Sequence, residues 1–599
     1  SSSDEDKISD DVDRFIDAIL AIEDKSSGIG AVPDCVDHFS KIVEAKIATF
    51  SSGKLDSGIM ESVRRVSRLE NALSQFPNVT PALNQASVAV QRAMAILEEE
   101  FRVLIDDSGP EISGVVHKFA SFDSKDRTED ADRCSSQRDA NSGNYLPYSP
   151  ETVSKMREIA STMISAGYET ECCQVYYISR RNAIRNQATK LEINASLNME
   201  DVARMPWESL EVEISKWMNA VKTCSETIFP AERSLAESVF AEHQQIGSNL
   251  LNKLIRLVVI QLLNFVEATT MAKRSAEKLF KFLDIYEALE NLIHSIGGER
   301  CSDDLASEIM EAGDRIGESA ASIFCDLENS IKSDTARTPV PGGAVHPLTR
   351  YVMNYLKYAC EYTVALEKIL ANKKPPIQSI PSSSHHDVEK ESESPRNFET
   401  MDQTTPFSIQ VVTVMDLLDG NLEKKSRLYR DPSLRYIFLM NNGRYILQKV
   451  KGSPEVREVM GDTWCRRRST VVRQYHKNYQ RETWNRVLQC LNHDGLLVNG
   501  KISKPLLKER FKIFTATFEE IHRSQTAWVV SDEQLQSELR ISVSSVLIPA
   551  YRSFVGRFRQ YFDRAKQVDK YIKYQPEDIE ALIEGLFEGN TASMGRKRT

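Results

Sequence analysis

Residues 557–574 read RFRQYFDRAKQVDKYIKY, six cations and two aspartates among aromatic and aliphatic residues, in a chain whose net charge is -10. Lys570 and Lys573 stand three apart, so on one helical turn they project together and can attract a phosphate. Arg552, Arg557, Arg559 and Lys566 extend this into a wider patch, while Tyr561, Val568 and Ile572 are placed to pack inward. For any one cation the competing reading is burial or an internal ion pair with Asp563 or Asp569. A second basic element lies upstream, in WCRRRSTVVRQYHKNYQRETWNRVLQCL from Trp464 onward. There Arg473, Lys477 and Arg481 recur every four residues and form a positive stripe on one helix face, with Val472, Tyr475 and Tyr479 on another. Tyrosines set apart from the charges are core residues rather than a platform for stacked bases. No zinc finger or RNA-recognition fingerprint accompanies them, so nucleic acid is not an expected partner.

The rest of the chain sharpens the contrast. Residues 421–574 hold 30 Lys or Arg against 15 Asp or Glu, whereas the remainder holds 46 against 71. Such polarity points to an anionic surface or partner at the C-terminal end. Anionic lipid headgroups suit it, each basic contact near a membrane being worth about 1 kcal/mol.

No catalytic constellation competes with this reading. The sequence has no GxxxxGK[ST], GxSxG, HExxH or EF-hand loop. His385 and His386 are adjacent but stand in a Ser- and Pro-rich stretch, without the further rigid ligands that zinc requires. Cys172 and Cys173 read as buried thiols of a helix, and carboxylate runs such as LEEEF (97–101) as solvated helix faces. The expectation is a non-enzyme with no catalytic residue, metal, cofactor or small-molecule substrate. Ten cysteines without a CxxC pair fit reduced thiols.

Helices must position these residues. Apolar positions recur at helical spacing, as in Leu279, Phe282, Leu283, Tyr286, Leu289 and Ile293, and strand alternation is almost absent. Start signals agree: Ser149-Pro150-Glu151, Pro206 before WESLEVEISKWM, and Ser531 with Gln534 as a capping box. A last helix opens at Pro576, buries Ile579, Leu582, Ile583, Leu586 and Phe587, and stops at Gly589. The apolar run LIRLVVIQLLNFV (254–266) reads as a core helix, since spanning a bilayer takes about 20 residues. The fold class is all-α. Its expected organisation is an N-terminal helical bundle (1–105), a flexible linker (106–150), central bundles (151–345), C-terminal bundles (346–590) with a mobile loop (372–406), and a tail (591–599).

Several stretches together resemble a known family: HPLTRYVMNYL (346–356), FLMNNGRYI (438–446), LLKERFKIFTATFEEIH (506–522), IPAYRSF (548–554), and KYIKY followed by an acidic-apolar helix (570–587). They are similar to the seventy-kilodalton subunit of the exocyst in its plant form, over about residues 200–590. The resemblance implies an elongated rod of stacked antiparallel helical bundles, in a complex that holds secretory vesicles at the plasma membrane before fusion. It also implies a C-terminal end that binds phosphatidylinositol bisphosphate, with the family's lipid-contacting lysines falling on Lys570 and Lys573. Other exocyst subunits and Rho-type small GTPases are the implied protein partners, and the implied location is the cytoplasm, with peripheral recruitment to plasma membrane or vesicles. Plant members with roles in immunity or autophagy-related traffic make those routes further expectations. Family members usually open with a long coiled-coil helix, and the chain is expected to begin after it. The competing reading is a helical scaffold whose basic face binds an acidic protein, without lipid.

Overall fold

The computed structural model describes residues 2–50, 57–107, 148–191, 199–296, 303–335, 337–372, 405–498, 500–562, 568 and 570–589. Most of the expected linker and mobile loop, the tail, His385, His386, Asp563, Lys566 and Asp569 lie outside the described residues. The described residues are overwhelmingly α-helical and divide into two compact units. One holds residues 1–273 and 284–316, the other 274–283 and 317–599. Residues on both sides of the 106–150 segment thus share the first unit, and the division falls at residues 274–316 rather than at 345.

The first unit contains α1 (Ser2–Leu20), α2 (Asp34–Ala48), α3 (Ser57–Leu73), α4 (Thr80–Asp106), α5 (Pro150–Ser165), α6 (Glu169–Lys190), α7 (Met199–Arg204), α8 (Trp207–Thr223), α9 (Phe229–Val239) and α10 (Gln244–Thr270). Ser149 caps α5 by accepting from the Thr152 amide at 3.1 Å, and Pro206 stands just before α8, both as expected. The 254–266 run belongs to the longer α10, the one helix among the described residues long and apolar enough to cross a membrane by length and composition. It packs as a core helix against α6, α7 and α9, burying Leu254, Ile255, Val258, Val259, Leu262 and Val266. The Trp217 indole donates to the Leu262 carbonyl at 3.0 Å. Cys172 is buried as expected, while Cys173 is only half-buried.

Two helices, α11 (Leu279–Ile296) and α12 (Asp303–Ser333), each contribute residues to both units. The second unit continues with α13 (Pro347–Glu361), α14 (Thr363–Asn372), α15 (Pro406–Ser426), α16 (Pro432–Lys451), α17 (Pro454–Cys490), α18 (Lys504–Gln525), α19 (Glu533–Phe558) and α20 (Pro576–Glu584). A two-residue hairpin pairs β1 (Leu497–Val498) with β2 (Lys501–Ile502). Many of these helices open with a polar cap followed by Pro: His346-Pro347, Thr405-Pro406, Asp431-Pro432, Ser453-Pro454 and Gln575-Pro576. The cap supplies an acceptor for an orphan amide, and Pro at the first position has no amide to leave unpaired. Gly461, with φ 79°, interrupts α17 in its first third.

Two expected boundaries move. Asp532, not Ser531, caps α19: its carboxylate accepts from the Leu535 amide at 2.7 Å and is held there by Arg444 at 3.2 Å. The last helix ends at Glu584 with Gly585 as its cap, short of Gly589. Beyond it the chain turns back, so that the Gly589 amide donates to the Trp528 carbonyl at 3.0 Å and Leu586 and Phe587 complete the core. Glycine serves there because φ is +74°.

Two of the stretches that carry the family resemblance, 346–356 and 438–446, form a buried polar junction. In α16, Asn441 donates from Nδ2 to the carbonyls of Gly343 and Val529, each at 2.7 Å. The Asn442 Oδ1 accepts from the His346 amide at 3.0 Å and from the Thr349 hydroxyl at 2.7 Å, and its Nδ2 donates to the Phe438 carbonyl at 2.8 Å. Gly443 follows because a Cβ would meet Val472 Cγ2 at 2.7 Å. Three segments distant in sequence are tied at one turn of helix.

His346 links this junction to pH. Its Nδ1 accepts from the Leu348 amide at 3.1 Å, which requires neutral imidazole at that atom. Burial, reinforced by the nearby Lys425 charge and opposed by Asp334, holds it below its ordinary value. In the unfolded chain it titrates at about 6.5, so below that pH the unfolded state binds the proton first. Its stabilising contribution is complete above about pH 6.5 and is lost as pH falls through the lower folded value. His346→Asn, which keeps a capping acceptor and cannot titrate, should flatten the fall in urea midpoint between neutral and mildly acidic pH; an unchanged slope would contradict this assignment.

Candidate functional site

The basic C-terminal segment is anchored by its apolar residues. After α19 the chain makes a 3₁₀ turn, Arg559–Tyr561. Phe554, Phe558 and Phe562 are buried, and Phe511 of α18 meets the rings of Phe554 and Phe562 at 5.1 and 5.8 Å. Phe562 stacks on Tyr571 at 5.9 Å, Ile572 is 3% exposed, and the Tyr551 hydroxyl donates to the Tyr574 carbonyl at 2.7 Å. Tyr561, Val568 and Ile572 pack against the core as their spacing suggests. Gln575 and Asp578 then form a reciprocal capping box that starts α20.

With its apolar side committed to the core, the segment leaves its cations outside. Arg552, Arg557, Arg559, Lys570 and Lys573 are all exposed. They differ in their partners. Arg552 reaches Glu577 at 3.4 Å, both side chains being well exposed, a geometry worth little. Lys573 is bonded to Glu519 of α18, which also accepts from the Tyr574 hydroxyl at 2.8 Å. The Lys573 ammonium accordingly holds its proton above its ordinary value, and the hydrogen bonds from Lys573 and Tyr574 hold the Glu519 carboxyl below its own. Lys570 lies with Nζ 5.9 Å from the Tyr571 ring centroid, and Lys508 of α18 lies 5.2 Å from the same centroid. Tyr571 therefore stands beside two ammonium groups whose attraction to the ring helps place them near each other.

Lys508 and Glu519 were not singled out by the sequence. Both belong to LLKERFKIFTATFEEIH, more than fifty residues before the lysines they join. Helical period separates Phe511, Phe514 and Phe518 as the buried face, but does not say which charged neighbour meets a segment arriving from elsewhere.

The upstream stripe is as drawn from sequence: Arg473, Lys477 and Arg481 are exposed on α17, while Val472 and Tyr479 are buried and Tyr475 is half-buried. Tyr479 is fully enclosed, donating to Gln525 Oε1 at 2.7 Å and accepting from the Trp484 indole at 3.0 Å. These tyrosines are core residues and offer no stacking platform.

Comparison with known proteins agrees with the fold. The family described as the C-terminal part of the Exo70 exocyst complex subunit matches residues 215–585. Exocyst complex component EXO70C1 of Arabidopsis thaliana is 47% identical, covering 100% of this chain and 94% of that protein. Exocyst complex component EXO70C2 of the same plant is 43% identical, covering 99% and 89%. The crystal structure of the S. cerevisiae exocyst component Exo70p shares the fold with a TM-score of 0.59 at 14% identity, covering 93% of this chain and 99% of that one. The helices that bury the Asn441-Asn442 junction and carry the basic C-terminal segment fall within the matched region, and the chain belongs to the Exo70 family of exocyst subunits.

Proposed function

We propose that this exocyst subunit tethers secretory vesicles to the plasma membrane before fusion, and that its basic C-terminal end docks on phosphatidylinositol bisphosphate. The observation that carries this reading is the division of labour in residues 551–574: Phe554, Phe558, Phe562 and Ile572 are buried, while Arg552, Arg557, Arg559, Lys570 and Lys573 remain outside. Lys508 joins Lys570 beside Tyr571. A phosphorylated headgroup meeting these cations would form charge-assisted hydrogen bonds and release bound counterions, with no helix inserted in the bilayer. The chain acts on this reading by binding, not catalysis. Other exocyst subunits and Rho-type GTPases engage its remaining surfaces, it resides in the cytoplasm and is recruited peripherally to plasma membrane or vesicles, and immunity or autophagy-related traffic are specialised routes for it.

Co-sedimentation with vesicles of matched total charge, with and without phosphatidylinositol bisphosphate, tests the docking. Lys570→Glu with Lys573→Glu should weaken phosphoinositide-dependent binding roughly tenfold or more, since each contact contributes about 1 kcal/mol and reversal adds repulsion. Glu519→Gln should strengthen it, because Lys573 must otherwise exchange its internal carboxylate for a phosphate. A folded chain that ignores the phosphoinositide, or a double variant that pellets like the parent, would move the function to a scaffold for acidic proteins.

A further inference from the structure

The stripe on α17 has a feature that lipid docking at the C-terminal end does not use. Lys477 and Arg481 form the rim of a groove of about 300 Å³ between α17 and α19. Trp484, Leu488, Val543 and Val546 line it. Gln480 donates to Ser542 across the two helices and holds them together at this point. Trp484 and Val543 are buried, but Val546 is 45% exposed, a large aliphatic side chain left in water beside two cations. Among the described residues neither Lys477 nor Arg481 has a carboxylate partner, in contrast to Lys573 and Arg552. Arg473, one turn earlier, is likewise exposed and donates to the Thr470 hydroxyl at 3.3 Å.

We propose that this groove takes an acidic amphipathic helix from a partner protein. Residues 473, 477 and 481 are spaced by about 6 Å each along α17, from the helical rise. A helix laid along the groove with Glu or Asp at every fourth position presents carboxylates at that same spacing. Leucine or phenylalanine on its adjoining face meets Val546 and Leu488 and removes them from water. This is helix-in-groove recognition: the apolar contact supplies affinity, and the basic rim sets register and rejects basic or neutral helices. None of the residues that line the groove falls within 551–574.

Fluorescence anisotropy of the full chain with a labelled synthetic helical peptide tests the proposal. The peptide carries Glu at every fourth position and Leu on the neighbouring face. One control has the same composition in shuffled order, and another has Lys in place of Glu. The acidic amphipathic peptide should bind and perturb the Trp484 emission, and both controls should bind at least about tenfold more weakly. Lys477→Glu with Arg481→Glu should cost about tenfold or more, as should Val546→Asp, whose half-exposed position spares the core. Lys570→Glu with Lys573→Glu should leave peptide affinity unchanged. No binding by the amphipathic peptide, equal binding of the shuffled control, or indifference to the groove variants overturns the proposal. So does loss of anionic-vesicle binding in the groove variants with peptide affinity intact, which would make the stripe a membrane contact.

Discussion

Glu232→Ala should lower the unfolding free energy of the unit that contains it by about 3–5 kcal/mol, the largest stability loss expected for any single substitution considered. Arg180 and Glu232 are only 3% and 4% exposed and pair in a bidentate contact through Nε and Nη2 along one guanidinium edge, with Arg180 Nε 3.1 Å from Glu232 Oε2. Burial works against the guanidinium charge, and Glu232 outweighs it, so Arg180 keeps its proton above its ordinary value. Removing the carboxylate leaves that charge enclosed with the Tyr148 hydroxyl, at 2.8 Å, as its remaining bonded neighbour. The control is Glu232→Leu with Arg180→Met, which removes both charges at similar volume and should restore most of the loss. Urea unfolding of the three chains, read by circular dichroism, measures the difference; if the single and double variants fall equally, the loss comes from packing and the ion pair is not its cause.

Asn442→Leu should rank second, at about 2–5 kcal/mol, because it strands two buried donors together. The His346 amide and the Thr349 hydroxyl both end on Asn442 Oδ1, and Thr349 is completely enclosed. Each unsatisfied buried group costs about 1–3 kcal/mol, and leucine adds branching where the Phe438 carbonyl accepted a bond. Adding Thr349→Val should recover part of the loss, since it removes one stranded hydroxyl with little change of shape. A double variant no more stable than Asn442→Leu would show that Thr349 is not the group responsible.

The two cases explain why the conspicuous stretches were easy to recognise and hard to interpret. HPLTRY and FLMNNGRY read as family marks, yet their polar residues meet one another across about ninety residues of chain. Nothing in local period announces that an Asn-Asn-Gly run will be enclosed rather than exposed; a helix-interior asparagine is ordinarily a surface residue. Tyr148 shows the same limit. Its hydroxyl donates to the Ile105 carbonyl at 2.6 Å, so residues on either side of the Ser- and Asp-rich 106–150 segment meet in one unit. Composition set that segment apart, but could not tell whether the helices before and after it belong to one unit or two.

What the sequence determined by itself was what depends on near neighbours. Apolar residues at helical spacing made the all-α class legible, prolines at or just before the first turn marked helix starts at 150, 207 and 576, and the interleaving of cations with Tyr561, Val568 and Ile572 separated an outer from an inner face. Each of these follows from residues a turn or two apart, where backbone geometry alone decides what is adjacent. Tertiary structure decided the partners: that Lys573 meets Glu519, that Lys508 stands with Lys570 at Tyr571, that Asp532 rather than Ser531 caps α19 because Arg444 holds it, and that Lys477 and Arg481 overlook an apolar groove. Charges attract over several ångströms whatever their distance in sequence. Which of 162 ionisable Lys, Arg, Asp and Glu residues become neighbours is therefore set by how the helices pack, and only then does a basic segment acquire its particular chemistry.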